Sequence, residues 1–300
     1  MTDTIVMRAE PVVTEMKKKI SADVADLKHR GIFPKLVALL IGKDPISRTY
    51  VELKRKDCED VGILSEVRDL SSPSKANARE TVISTIRTLN SDQSVSAIIP
   101  QMPFDGMASE EEVFSILNPK KDVDGLTPFN LGKLIRKEYS LESSLLPCTP
   151  KGIILLLKHY GVSVKGSEVA IVGRGLLVGE PLRKLFQDLD ATATCYHTRS
   201  KNLKEMVRRA DIIVAASGRP PEIYGESGFR LSGDMVKEGS TVIGAGVRKD
   251  EKTGKTLFDV DTPSLNGKCS FLTPNTGGVG AMTRASLLAN TVIASEESSG

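Results

Sequence analysis

Short runs of apolar, β-branched residues alternate along the chain with longer segments in which apolar positions recur at intervals of three and four. The short runs read as strands and the longer segments as amphipathic helices, and their alternation predicts parallel strands joined by crossover helices. A helix is expected over about residues 12 to 30, then a strand from Lys35 to Ile41. Asp44-Pro45 opens the next helix, with Asp as cap and Pro at the first helical position, and Gly62 stops it after Val61. A strand over Leu64 to Leu70, a helix from Ser72-Pro73 and a strand over Val95 to Ile99 follow. Ser109 with Glu112 forms a capping box for a further short helix.

From Asn118 to Pro150 the pattern breaks into prolines, glycines and serines, with one short amphipathic stretch near Leu131, and reads as loop leading to a domain boundary. Thr149-Pro150 is expected to cap an apolar helix, Ile153 to Tyr160. Alternation then restarts, with strands at Val169 to Val172, Thr192 to Tyr196, Ile212 to Ala215, Thr241 to Ile243 and Ser270 to Leu272, and a last helix over about Val279 to Glu296. No internal repeat is present. The expected fold class is α/β: two α/β domains flanking a cleft, the second a Rossmann-like dinucleotide-binding domain with a parallel sheet. Residues 1–148 would form the first domain, joined by the C-terminal helix 279–297, and residues 149–278 the second.

Length and composition support this reading. A chain of 300 residues exceeds what a single core usually organises, and 40% hydrophobic with 26% charged residues is ordinary for a globular protein. The net charge of +3 is small and the basic residues are dispersed, which argues against nucleic-acid binding. No window carries the roughly 18 uninterrupted apolar residues of a membrane span. The N-terminus shows neither a secretion signal nor a transit peptide, so the expected location is cytoplasmic. Cys58, Cys148, Cys195 and Cys269 lie far apart, and His29, His159 and His197 complete no ligand pattern with them, so neither disulfides nor a metal site are expected.

Gly173-Arg174-Gly175-Leu176-Leu177-Val178-Gly179 follows a predicted strand and precedes a predicted helix. Glycines there let the backbone approach a pyrophosphate, which the free N–H groups of the helix start favour. The spacing is GxGxxxG rather than GxGxxG, and a ligand-free strand-to-helix turn could carry the same glycines. The next strand runs into Tyr196-His197-Thr198-Arg199-Ser200, with no carboxylate where an NAD site usually offers one to the ribose. A hydroxyl and a guanidinium there, with Arg174 in the loop, suit the 2′-phosphate of NADP. Solvated surface arginines are the plainer alternative.

The segment SRTYVELKRKDCEDVGI sets Ser47, Tyr50 and Lys54 on one helix face, a hydroxyl, a phenol and an amine together. A partly desolvated amine loses basicity and can trade protons near neutrality, whereas the same spacing on a surface helix is only a snorkelling lysine. Gln101, between two prolines at a strand exit, could hydrogen-bond both a lysine and a substrate carbonyl. Asp122 and Asp124 place two carboxylates in one loop, where a carboxylate could pair with the amidine-like edge of a pterin or merely satisfy turn amides.

Taken in order, SRTYVELKRKDCEDVGI, PQMPFDG, PKKDVDGLTPFNLGKL, PCTPKGI, VGRGLLVGEP and TPNTGGVGAMT resemble the bifunctional methylenetetrahydrofolate dehydrogenase/methenyltetrahydrofolate cyclohydrolase family across nearly the whole chain. The resemblance implies NADP-linked oxidation of 5,10-methylenetetrahydrofolate to the methenyl form and its hydrolysis to 10-formyltetrahydrofolate, in one-carbon metabolism and purine biosynthesis. It implies that Lys54 transfers protons in the hydrolytic step, that Tyr50 positions the folate, that Gln101 tunes Lys54 and that Asp124 holds the pterin. Gly277 and Gly278 would approach the substrate. The cofactor would lie over Gly173, Arg174, Gly175 and Gly179, with His197, Thr198, Arg199 and Ser217 as further cofactor positions. A tetrahydrofolate-derived substrate and a second copy of the chain in a homodimer are the implied partners.

The chain departs from the family pattern at Gly175 and Thr198, where serine is common, and at Asn275-Thr276, which replace Val-Pro. Two other enzyme readings stay open on sequence: another two-domain NADP dehydrogenase of shikimate dehydrogenase-like architecture, and a monofunctional cyclohydrolase.

Overall fold

The computed structural model of the protein describes residues 3–71 and 77–297. The elements, in chain order, are β1 (Ile5–Val6), α1 (Glu10–His29), β2 (Lys35–Leu40), α2 (Pro45–Val61), β3 (Leu64–Asp69), α3 (Ala78–Ser91), β4 (Ala97–Gln101), α4 (Glu110–Ile116), α5 (Pro128–Ile135) and α6 (Cys148–His159). Then come β5 (Glu168–Val172), α7 (Gly179–Asp188), β6 (Thr192–Tyr196), α8 (Leu203–Arg209), β7 (Ile212–Ala215), α9 (Pro221–Tyr224), β8 (Thr241–Gly244), β9 (Val247–Lys249), β10 (Thr256–Phe258), α10 (Thr262–Leu265), β11 (Phe271–Leu272) and α11 (Val279–Glu297). The fold is α/β, as the alternation predicts. The chain divides into two compact units, Thr14–Cys148 with Arg284–Gly300, and Met1–Val13 with Thr149–Thr283.

In the unit containing Thr14–Cys148, β2 lies between β3 and β4 in a parallel sheet buried on both faces. Leu36, Ala38 and Leu40 point to one side, where α1, α2 and α11 cover them with Ile20, Val24, Leu27, Val51, Cys58, Val61, Leu287, Leu288 and Val292. Val37, Leu39 and Ile41 point to the other, under Val82, Ile86 and Leu89 of α3 and Val113 and Phe114 of α4. Period-two alternation on β2 thus feeds two cores. Helix α2 begins as its sequence dictates: the Asp44 side chain accepts from the Ser47 amide, Pro45 occupies the first turn, and Gly62 at φ 81° ends it.

Three expectations shift. The strand expected over Val95–Ile99 lies two residues later, so Pro100 and Gln101 fall inside β4, paired with Leu39 and Leu40. Pro100 is tolerated because β4 is an edge strand and can lose one donor. Thr149 is not a cap, since α6 starts at Cys148 and the Thr149 hydroxyl instead lies 3.0 Å from that of Thr283. The helix start expected at Ser72-Pro73 lies outside the described residues, and α3 is seen from Ala78.

The other unit holds a six-stranded parallel sheet in the order β1-β11-β8-β7-β5-β6. From β5 the chain steps out to β6 and returns to β7 on the opposite side, the switch point at which such sheets take their ligands. Buried Ala170, Val172, Ile213, Ala215, Val242 and Leu272 from neighbouring strands form one apolar layer. Strand β1 pairs with β11 through Ile5 and Val6, so the chain's first residues belong to this sheet rather than to the unit that follows them. Hairpin β9–β10, also unforeseen, is antiparallel and separate.

Candidate active site and dinucleotide site

The buried stripe of α2 reads Ser47, Val51, Lys54, Asp57, Cys58 and Val61, so Lys54 occupies a core position rather than a surface one. Lys54 is 7% exposed, and its Nζ donates to Gln101 Oε1 at 2.8 Å. Gln101 Nε2 donates to the Met102 carbonyl at 3.0 Å, which fixes the amide with its oxygen toward the amine. Burial lowers the Lys54 pKa below its ordinary value, because desolvation penalises the ammonium. Asp124 opposes that shift, as do the thiols of Cys148 and Cys58, while Arg284 adds to it.

Tyr50 is half-buried on the same helix one turn before Lys54. The third member of the expected face is not available: the Ser47 hydroxyl is buried within hydrogen-bond distance of Asp44 Oδ2, 2.9 Å, and the Met102 carbonyl, 2.8 Å. It ties the start of α2 to the end of β4.

The Lys121-Asp122-Val123-Asp124 loop divides its two carboxylates. Asp122 is fully buried; its Oδ2 accepts from the Thr127 amide at 2.7 Å and Asn130 Nδ2 at 2.9 Å, and burial raises its pKa. Lys121 is also internal, donating to the carbonyls of Leu89 and Asp92 at 2.8 and 2.7 Å. Asp124 is left half-buried between these anchors. The strain-free route to a rigid loop is thus side chains satisfying backbone on both flanks.

Sequence reasoning missed Asp57 and its partner Arg284, Asn290 and Asp259. Asp57, on the turn after Lys54, takes Lys17 Nζ at 2.6 Å on Oδ1 and Arg284 Nε at 2.6 Å on Oδ2. Asn290 of α11 donates to the carbonyls of Val123 and Leu146, both at 2.8 Å, bracing the Asp124 loop from behind. Asp57 carried a signal, a charge inside an apolar stripe; the partners of Arg284 and Asn290 lie too far along the chain for any spacing argument.

In the other unit the glycine loop leaves β5 and enters α7. A Cβ at Gly173 would collide with the Ala216 carbonyl oxygen, and one at Gly179 with the Gly173 carbonyl, so both close approaches need glycine. Gly175 has nothing within 4 Å, and Arg174 beside it is exposed. No side chain caps the start of α7. After β6, His197 Nδ1 accepts from the Arg199 amide at 3.2 Å in a turn that leaves Thr198 and Arg199 exposed and contains no carboxylate. These groups fit a dinucleotide with a 2′-phosphate: an open glycine cradle, an uncapped helix start and exposed cationic side chains on loops that leave neighbouring strand ends.

Ser217 follows β7, and its amide and hydroxyl both donate to Asp259 Oδ2, at 2.5 and 2.8 Å, as does the Gly218 amide at 2.9 Å. Asp259, which sequence reasoning also missed, is fully buried, its pKa raised by desolvation, and it shapes the β7 exit loop. Gly277 is exposed at φ 72°, and its carbonyl accepts from the Ala9 amide at 2.9 Å. Gly278 is buried against Pro274. Among the described residues no cluster of three or more His, Cys, Asp or Glu could hold a metal, and no helix is long and apolar enough to cross a membrane.

Two family descriptions match this chain: the tetrahydrofolate dehydrogenase/cyclohydrolase catalytic domain over residues 7–124, and its NAD(P)-binding domain over residues 147–299. The chain belongs to the tetrahydrofolate dehydrogenase/cyclohydrolase family. Bifunctional protein FolD of Pyrobaculum aerophilum is 41% identical over 290 residues, 95% of this chain and 93% of that protein. The crystal structure of FolD methylenetetrahydrofolate dehydrogenase/cyclohydrolase from Campylobacter jejuni is 35% identical, with a TM-score of 0.87 over 98% of this chain and 99% of that one. FolD from Trypanosoma brucei, complexed with NADP cofactor and inhibitor, is 30% identical with a TM-score of 0.87, covering 100% and 99% of the two chains. The two family matches account for both parts of the chain, so the shikimate dehydrogenase-like alternative is not favoured.

Proposed function

We propose that the protein oxidises 5,10-methylenetetrahydrofolate to the 5,10-methenyl form with NADP and hydrolyses that product to 10-formyltetrahydrofolate. The observation that carries the hydrolytic half is the buried Lys54 amine held on Gln101 Oε1. A neutral amine donating one N–H to an oxygen that can only accept keeps its lone pair free for a proton. Water adding to the methenyl carbon forms the new C–O bond and releases one proton, which Lys54 takes. The carbinol hydroxyl then gives up its own proton to solvent and becomes the formyl oxygen as the carbon's bond to the ring nitrogen breaks, which leaves the formyl group on the other nitrogen, while the ring nitrogen receives the proton that Lys54 can return. Gln101 holds Lys54 in place, Tyr50 positions the folate, and Asp124 hydrogen-bonds the pterin.

Bound NADP supplies the hydride acceptor for the first step. Gly173, Arg174, Gly175 and Gly179 would hold its phosphates, with His197, Thr198, Arg199 and Ser217 at the adenosine end and the β7 exit; Gly277 and Gly278 would approach the substrate. Hydride transfer asks little of acid or base groups, so the chain's contribution there is positioning. The domain roles we assign are folate chemistry to residues 1–148 with the C-terminal helix, save the first strand, which pairs in the other unit's sheet, and cofactor binding to residues 149–278. A cytoplasmic homodimer serving one-carbon supply to purine synthesis completes the reading, and sedimentation of the purified protein tests its dimeric part.

The deciding assay supplies 5,10-methylenetetrahydrofolate and NADP, follows reduced cofactor and methenyl absorbance together, and repeats both with Lys54→Met. Reduced cofactor from the wild type and accumulated methenyl product from the variant are expected. A wild type that produces neither signal would refute the assignment.

A further inference from the structure

Asp57 sits three residues after Lys54 on α2 and is gripped from both sides, by Lys17 of α1 and by Arg284 of α11. All three side chains are largely buried, at 25%, 13% and 23% exposure for Lys17, Asp57 and Arg284. Lys17 also reaches Asp60 at 2.8 Å, so one face of α2 is fastened over a full turn. Three helices that otherwise meet through apolar side chains are here locked in rotation and register by one carboxylate. A buried pair of this kind adds little net stability, because desolvation offsets its attraction. Its position beside Lys54 calls for another role.

We propose that Asp57 and Arg284 form an electrostatic clamp that positions Lys54 and sets how readily it gives up its proton, with Asp57 aiming the Arg284 charge. This rests on the reading of Lys54 as the proton-transfer group. The charged or titratable groups that act on Lys54 are Asp124 from the loop before α5, Cys58 on α2, Cys148 at the start of α6 and Arg284 on α11. Cys58 is pushed up to about 12, chiefly by burial, and stays a neutral thiol. Asp124 and Arg284 are the carboxylate and the guanidinium among these four groups, and of the four only Arg284 favours the neutral amine. Asp57 fixes where that charge points, and Lys17 shares the Asp57 carboxylate.

The two halves of the clamp must then act on Lys54 with opposite sign. Arg284→Met removes a cation and exposes Lys54 to the Asp57 carboxylate, which raises the Lys54 pKa. Asp57→Asn leaves two cations uncompensated and lowers it. Each shift should reach about half a pH unit or more, the scale of a single charge acting across a partly buried site. Arg284→Lys, which keeps the charge, should restore most of the wild-type value.

The test is a pH titration of the Lys54 13Cε resonance in the full-length protein, assigned by its loss in Lys54→Met, with circular dichroism confirming that each variant folds. Displacements of opposite sign in Arg284→Met and Asp57→Asn, with rescue by Arg284→Lys, support the clamp. Displacements of one sign, or none, overturn it and leave the triad as packing. The pH dependence of methenyltetrahydrofolate hydrolysis, measured on the same variants, should move with the resonance. If the wild type hydrolyses nothing, the functional reading fails while the titration still decides the clamp.

Discussion

Lys54 holds a place in the α2 stripe that an apolar residue would fill more comfortably. Its ammonium is disfavoured there, and Gln101 supplies one acceptor where bulk water would supply three. The site is accordingly expected to be bought at the expense of stability. Lys54→Met, close in shape, should raise native stability by about 1 kcal/mol at neutral pH while abolishing hydrolysis. Burial lowers the native pKa below the ordinary 10.5, so between the two values the unfolded chain binds the proton more tightly and wild-type stability rises with pH. The advantage of the variant is therefore full below the native pKa and fades toward pH 10.5, which denaturant titrations at several pH values would show. At this scale the sequence was generous with Lys54, Tyr50, Gln101 and Asp124 because each belongs to a contiguous motif. It was silent on Arg284, whose partner Asp57 lies 227 residues away.

Among elements, the site depends on a loop and two helix ends. Asp122 secures the loop that carries Asp124, through Thr127 and Asn130 at the start of α5. Asp122→Ala removes the single oxygen that accepts both bonds, leaving the buried Thr127 amide unpaired and the Asn130 carboxamide with only its bond to the Pro119 carbonyl. A cost of about 2–3 kcal/mol follows from such orphaned donors. If Asp124 holds the pterin, KM for the folate should rise while the KM for NADP stays constant; parallel changes in both would mean general unfolding instead. Elements with strong punctuation were legible to the residue: α2 between its Asp-Pro start and Gly62, and β6 and β7 as short strand-forming runs. Strand β1, two residues long, carries no period at all, and its pairing with β11 is a long-range fact. Strand β4 was misplaced because Pro100 reads as a strand terminator, and only the edge position of β4 reverses that reading.

For the whole molecule, the choice of cofactor tests how far surface charge decides function. Composition gave no hint of it, since a net charge of +3 spread over the chain distinguishes no face. What the fold adds is convergence: β5 and β6 are neighbours, so the loops carrying Arg174 and Arg199 leave the same end of the sheet although they are distant in sequence. Both side chains are exposed, so a contact of either with a cofactor phosphate would be screened and would contribute roughly 1–1.5 kcal/mol, or about tenfold in affinity. Arg174→Ala with Arg199→Ala should thus lower kcat/KM for NADP by about a hundredfold, if the two act independently, and change that for NAD by less than about threefold. The wild-type preference should also shrink as salt is raised, because exposed charge pairs are screened within about 10 Å at 0.1 M ionic strength. Equal losses with both cofactors would assign the arginines to loop structure and move phosphate recognition to Thr198 and the amides at the start of α7.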